Sequence, residues 1–163
     1  MNIKVAFYIG GGSLADKLIQ WWTANFKDKF NGDWKHISSH VEISIKNQTW
    51  CSASTRYPFK FRCKDFGLVQ SKWRVYNIQV TPEEVELVRM QLNQFKGMSY
   101  DWVNIFGSDI LKLNVDAKNK VTCDEVVARC LYLTKFGKDI KHIPNLNPKR
   151  LEDYIIKWIK KKG

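Results

Sequence analysis

Ser38-Ser39-His40-Val41-Glu42-Ile43-Ser44-Ile45 alternates without a break. His40, Glu42 and Ser44 fall on one side, and Val41, Ile43 and Ile45 on the other. A period of two is that of a β-strand with one face on an apolar core; a helix would space its apolar residues by three and four. Upstream, Ile3 to Ile9 is a short apolar run of strand formers that ends in Gly10-Gly11-Gly12, a turn or loop. The triplet lacks the G-x-G-x-x-G spacing of a dinucleotide site. Downstream, Asn47-Gln48 turns the chain into a second strand, Thr49 to Ser54. Further strands are expected near Phe59–Cys63 and Trp73–Val80. Consecutive strands joined by short turns predict an antiparallel sheet.

Helices flank this region. Ser13 and Asp16 form a helix start, followed by Leu14, Leu18, Trp21, Trp22 and Phe26 at helical spacing, one apolar face that fades by Asn31-Gly32-Asp33. Thr81-Pro82-Glu83-Glu84 combines a cap, a proline at the first position and a capping-box glutamate, so a helix should run to Gly97. Another is expected over about Asp101 to Leu111. Thr122-Cys123-Asp124-Glu125 opens the next, toward Gly137, and Asn147-Pro148 opens the last. No internal repeat, low-complexity segment or linker interrupts the order. The reading is a single α+β domain over residues 1–163, an antiparallel sheet packed against helices.

At 163 residues and 44% hydrophobic, the chain can bury a core. No apolar run approaches the roughly 20 residues of a membrane-spanning helix. The start, Met1 to Tyr8, lacks the features of a signal peptide. A cytoplasmic protein is therefore expected. The net charge of +11 favours acidic partners. No nucleic-acid fingerprint accompanies it. The dense part of that charge is Lys157, Lys160, Lys161 and Lys162, and a solvated basic surface also accounts for it. The four cysteines, Cys51, Cys63, Cys123 and Cys130, contain no C-x-x-C pair, which argues against zinc or a redox motif. In a cytoplasm they are expected as reduced thiols. No cofactor or metal is expected.

Cys123 is the thiol with a physical reason to react. With Thr122 as N-cap and Glu125 closing a capping box, it is the first residue of a helix. Unpaired N–H groups and the positive dipole end favour a thiolate there and lower its pKa. The competing reading is a small buried residue, which most free cysteines are. Cys130, seven residues on inside the same helix, reads as core, and Cys51 and Cys63 lie in strands. A cysteine nucleophile needs a base and a group to orient it. His36 and His142 fall in loops, whereas His40 opens a strand. Glu42 projects from the same face and can orient the imidazole, or else pair with surface lysines. Gln48, Ser52 and Ser54 are other orienting candidates.

Val5-Ala6-Phe7-Tyr8-Ile9-Gly10, Ser38-Ser39-His40-Val41-Glu42-Ile43, Trp50-Cys51-Ser52-Ala53-Ser54 and Thr122-Cys123-Asp124-Glu125-Val126-Val127, in that order, resemble the permuted branch of the NlpC/P60 superfamily. In this papain-like group the histidine strand precedes the cysteine helix; it includes YiiX/YebB-like proteins and relatives of lecithin:retinol acyltransferase. The first sixty residues are similar to small proteins of tailed bacteriophages, which would place the chain in a host cell cytoplasm. The resemblance covers about Ile3 to Leu151. It implies a circularly permuted papain-like fold, Cys123 as nucleophile, His40 as general base and Glu42 as the favoured third residue. It further implies metal-free hydrolysis or transfer at an amide, thioester or ester carbonyl of a peptide, isopeptide or other acyl substrate. Tyr8, Trp50, Cys51, Ser52 and Tyr100, with the Pro144-to-Pro148 loop, are candidates for the groove wall.

Two other functions fit the same residues. A non-enzymatic accessory protein on this fold would use its basic surface to hold an acidic host partner. An acyltransferase at an anionic membrane surface would use the last helix, where Leu151, Tyr154, Ile155, Trp158 and Ile159 share a side among lysines. Docking of that side on the core is the commoner explanation.

Overall fold

The caps spelled in the sequence close the helices where expected. Ser13, Thr81 and Thr122 each accept a hydrogen bond from the backbone N–H three residues on, and Asp16, Glu84 and Glu125 each accept one from the cap N–H. The computed structural model describes residues 1–46, 48–54, 60–101, 119–140 and 146–162. In chain order its elements are β1 (Asn2–Tyr8), α1 (Leu14–Thr23), α2 (Phe26–Asn31), a 3-10 turn (Asp33–His36), β2 (His40–Lys46), β3 (Thr49–Ala53) and β4 (Phe61–Asp65). After a second 3-10 turn (Gln70–Lys72) come β5 (Trp73–Gln79), α3 (Pro82–Gln94), β6 (Ser99–Tyr100), β7 (Lys120–Val121), α4 (Cys123–Tyr132) and α5 (Pro148–Lys162).

The first five strands make one sheet in the order β4-β3-β2-β1-β5, antiparallel throughout. Register assigns its two faces. Val41 lies opposite Phe7 and Ile43 opposite both Val5 and Cys51, so these residues share one side with Ile3, Ile78, Ala53 and Phe61. That side is dry. It forms one hydrophobic cluster with Val85, Val88 and Leu92 of α3, Val126, Val127, Cys130 and Leu131 of α4, and Leu151 and Ile155 of α5. The other face carries Ala6, Tyr8, His40, Glu42, Ser52, Arg62 and Trp73. The architecture is therefore α+β, helices on one face of an antiparallel sheet.

Several boundaries differ from expectation. The first helix is two, because buried Ala24 takes an extended conformation and Asn25 caps a new start, its Oδ1 accepting from Asp28 N–H at 2.8 Å. α3 stops a turn early, and Gly97 takes the left-handed φ of 86° that lets the chain reverse into β6. α4 ends at Tyr132: the Thr134 amide and hydroxyl both bond to Leu131 O, and the chain then passes so close that a Cβ on Gly137 would collide with that carbonyl. The apolar side of α5 docks on the core, with Leu151 and Ile155 fully buried. Cys51 and Cys63 are not reduced thiols but a disulfide. They face each other across β3 and β4, a proximity that register creates and a spacing of twelve residues does not announce. The expected helix over Asp101 to Leu111, apart from Asp101 itself, lies outside the described residues, as do Asn47, Phe59, His142 and Pro144.

Candidate active site

His40 opens β2 and Glu42 follows on the same face, as alternation requires. Their side chains meet: His40 Nε2 lies 3.1 Å from Glu42 Oε1. A carboxylate only accepts, so Nε2 carries the proton and Nδ1 is the nitrogen left to act as base. Glu42 is 1% exposed, His40 14%. Arg62, brought alongside by the Ser52–Arg62 register of β3 and β4, donates to the same Oε1 at 2.8 Å. That bond compensates a buried charge that would otherwise be costly. Glu42 Oε2 has no hydrogen-bond partner among the described residues, which leaves one buried acceptor for a donor. Trp73 closes the cluster, its ring 6.2 Å from His40 and 5.1 Å from Tyr8.

Cys123 arrives from the other side of the sheet. It is the first residue of α4, held by the Thr122–Glu125 capping box, and belongs to the cluster on the Val41 face. β6 and β7 set its surroundings: Tyr100 pairs with Val121, two residues ahead of Cys123, so the Tyr100 hydroxyl faces the sulfur. The β2–β3 register shifts between Ile43 and Lys46, and at Val41 the N–H hydrogen-bonds the Cys123 sulfur while the O accepts from Ser52 Oγ at 2.7 Å. The thiol donates to Asp124 Oδ1 at 3.8 Å.

These contacts oppose one another. Burial pushes the Cys123 thiol well above the ordinary range, and the neighbouring Asp124 charge adds to it. Hydrogen bonds from Val41 N–H, Asp124 N–H and the Tyr100 hydroxyl favour the thiolate without overcoming burial. The sequence placed this thiol at a dipole end that lowers its pKa; the structure corrects that, because at 1% exposure the lost solvation outweighs the dipole. Tyr100 is raised too, by burial first and by Cys123 second. Cys130 is raised by burial alone.

The structure thus joins His40 to Glu42 and seats Cys123 against Val41, the residue next to His40. Among the described contacts the thiol bonds to Asp124, Tyr100 and Val41 N–H, and the imidazole to Glu42; no hydrogen bond links thiol and imidazole. Of the groove candidates, Tyr8, Trp50 and Ser52 are buried on or beside the His40 side, Tyr100 on the Cys123 side. Cys51 lies on the helix-covered face in its disulfide, so it is not a second free thiol beside His40. Ser44 bonds to Lys46 O. His36 is exposed in the 3-10 turn. Arg62, Trp73 and Asp124 complete the site and were not singled out from the sequence. Asp124 is signalled by adjacency to Cys123; Arg62 and Trp73 depend on a strand order that residue spacing does not carry.

Among the described residues, no group of three or more His, Cys, Asp or Glu is placed to hold a metal ion, and no helix is long and apolar enough to cross a membrane. Comparison with protein-family models, with curated proteins and with solved structures returns no match.

Proposed function

We propose that the chain is a cysteine hydrolase on a circularly permuted papain-like fold of NlpC/P60 type, acting on a peptide, isopeptide or other acyl carbonyl. Cys123 is the nucleophile, His40 the base and Glu42 the residue that orients the base. One observation carries this reading: the buried Glu42 carboxylate holds His40 Nε2 at 3.1 Å and so leaves Nδ1 as the proton acceptor. In the resting site the thiol is protonated and turned to Asp124. The mechanism requires the thiol to turn about its Cα–Cβ bond toward His40 Nδ1, which takes the proton as sulfur attacks the carbonyl. The sulfur–carbon bond forms, the bond to the leaving group breaks, and the leaving group receives the proton from His40. Water then displaces sulfur with the same base. Once the sulfur turns away, the Asp124 N–H that it leaves at the start of α4 supplies a donor for the oxyanion.

The test is a screen over peptidoglycan peptides, isopeptides and lipid esters with intact-mass detection of an acylated Cys123. Both Cys123→Ala and His40→Ala should abolish the adduct and turnover while leaving the fold in place. Turnover that survives Cys123→Ala would end the proposal. A second reading rests on the buried, strongly protonated thiol: a binding module on the same fold with a lapsed site, holding an acidic protein by its basic surface. Steep loss of a pull-down with salt, indifferent to Cys123→Ala, would select it.

A further inference from the structure

Helix α1 faces the wrong way for a core helix. Its buried residues are Asp16, Ile19 and Gln20. Gln20, 1% exposed, donates to Ile37 O at 2.8 Å and to Ile9 O and Lys35 O at 3.3 and 3.4 Å. Asp16 accepts from Ser39 Oγ at 3.3 Å besides closing the cap with Ser13. Polar side chains therefore dock this helix. The side it turns to water carries Leu14, Leu18, Trp21 and Trp22, spaced by four, three and one, which is a single helical stripe. Helix α2 continues it, with no buried residue and with Phe26 and Phe30, one turn apart, 86% and 84% exposed. The two helices are stitched at the surface, Lys29 Nζ lying 4.3 Å above the Trp21 ring.

We infer that the α1–α2 face is a docking surface for an anionic lipid bilayer. Exposed apolar patches of this extent mark interaction sites. A lipid surface is favoured over a protein partner by the chemistry and the shape of the patch. Trp, Leu and Phe stand among Lys17, Lys27, Lys29 and Lys35, the mixture that buries rings at the headgroup level while lysine stems snorkel to phosphates. The overall charge of +11 adds long-range attraction to anionic headgroups. Phe26 and Phe30 project with little packed around them, which a fluid interface accepts and a protein interface would need a matching pocket to use. This surface is distinct from α5, whose apolar side is already spent on the core.

The experiment is co-sedimentation of the full chain with vesicles of phosphatidylcholine mixed with phosphatidylglycerol, and with phosphatidylcholine alone. Binding to the anionic vesicles with a blue shift of tryptophan emission is expected. Phe26→Ser/Phe30→Ser should weaken it at least about tenfold, since two rings that would enter the interface are lost. Both side chains are solvent-exposed, and circular dichroism checks that the variant folds. Lys160→Glu/Lys161→Glu, on α5, should change binding less than about twofold if the lysines near α1 set the contact. Absence of binding, equal binding by the phenylalanine variant, or a concentration-dependent dimer that the same variant abolishes would each overturn the inference, the last in favour of a second copy of the chain.

Discussion

The two faces of the sheet are built from alternate residues of the same strands, yet they do opposite things. Val41 and Ile43 lie under helices α3, α4 and α5 in a hydrophobic cluster, and Cys123 joins them there. His40 and Glu42, one residue away each, stand on a face of carboxylate, guanidinium and indole. The first face buries apolar side chains, and the second holds the polar cluster of the proposed site. The proposed dyad takes one residue from each face. Val41, the residue next to His40, touches the Cys123 sulfur through its N–H.

Substitutions should separate the faces by size of effect. Phe7→Ala, in the centre of the helix-covered face, should cost about 4 kcal/mol in chemical denaturation. Reduction of Cys51–Cys63 should cost about 3 kcal/mol through the freed loop of the unfolded chain, read as a loss of midpoint with dithiothreitol. On the polar face, Glu42→Ala should cost about 2 kcal/mol, because Arg62 and His40 reach partial solvent and recover some hydration. His40→Ala should cost under about 1 kcal/mol while abolishing turnover. A large stability loss from His40→Ala, or a small one from Phe7→Ala, would erase the distinction.

The next effect is in pH. Cys123 and Cys130 are raised by burial, Tyr76 by burial and then by Glu152. Above the unfolded thiol pKa, near 9, the unfolded chain releases these protons and the folded one keeps them. The stabilisation is thus complete below about pH 9 and is lost progressively as pH rises toward the folded values. Melting temperature should fall from pH 9 to 11, and less so in Cys130→Ala after allowance for its lower starting value. The smallest change is electrostatic: Asp124→Asn removes a charge that raises the Cys123 pKa, so the pH profile of Cys123 alkylation should move to lower pH.

The strands, the capping boxes and the pairing of His40 with Glu42 were legible because each depends on neighbours within a few residues. What sequence did not carry is which way an element faces. The stripe Leu14, Leu18, Trp21, Trp22 reads as a core face, and α1 turns it outward because Gln20 and Asp16 find carbonyl and hydroxyl partners beneath. The α5 stripe reads first as a docked face and second as a membrane face, and it docks. Cys51 and Cys63 meet only through strand register. The Cys123 pKa was misjudged because helix position is local and burial is not.

Cys123 and Cys130 supply the most direct test, being two buried thiols on one helix with the same expected resistance to attack. Their iodoacetamide labelling can be followed by mass spectrometry in the native protein and in His40→Ala. A working dyad predicts that Cys123 labels at least about tenfold faster than Cys130, and that His40→Ala removes the advantage. Equal, slow labelling of both thiols, unchanged by His40→Ala, would contradict the proposal that Cys123 and His40 act together.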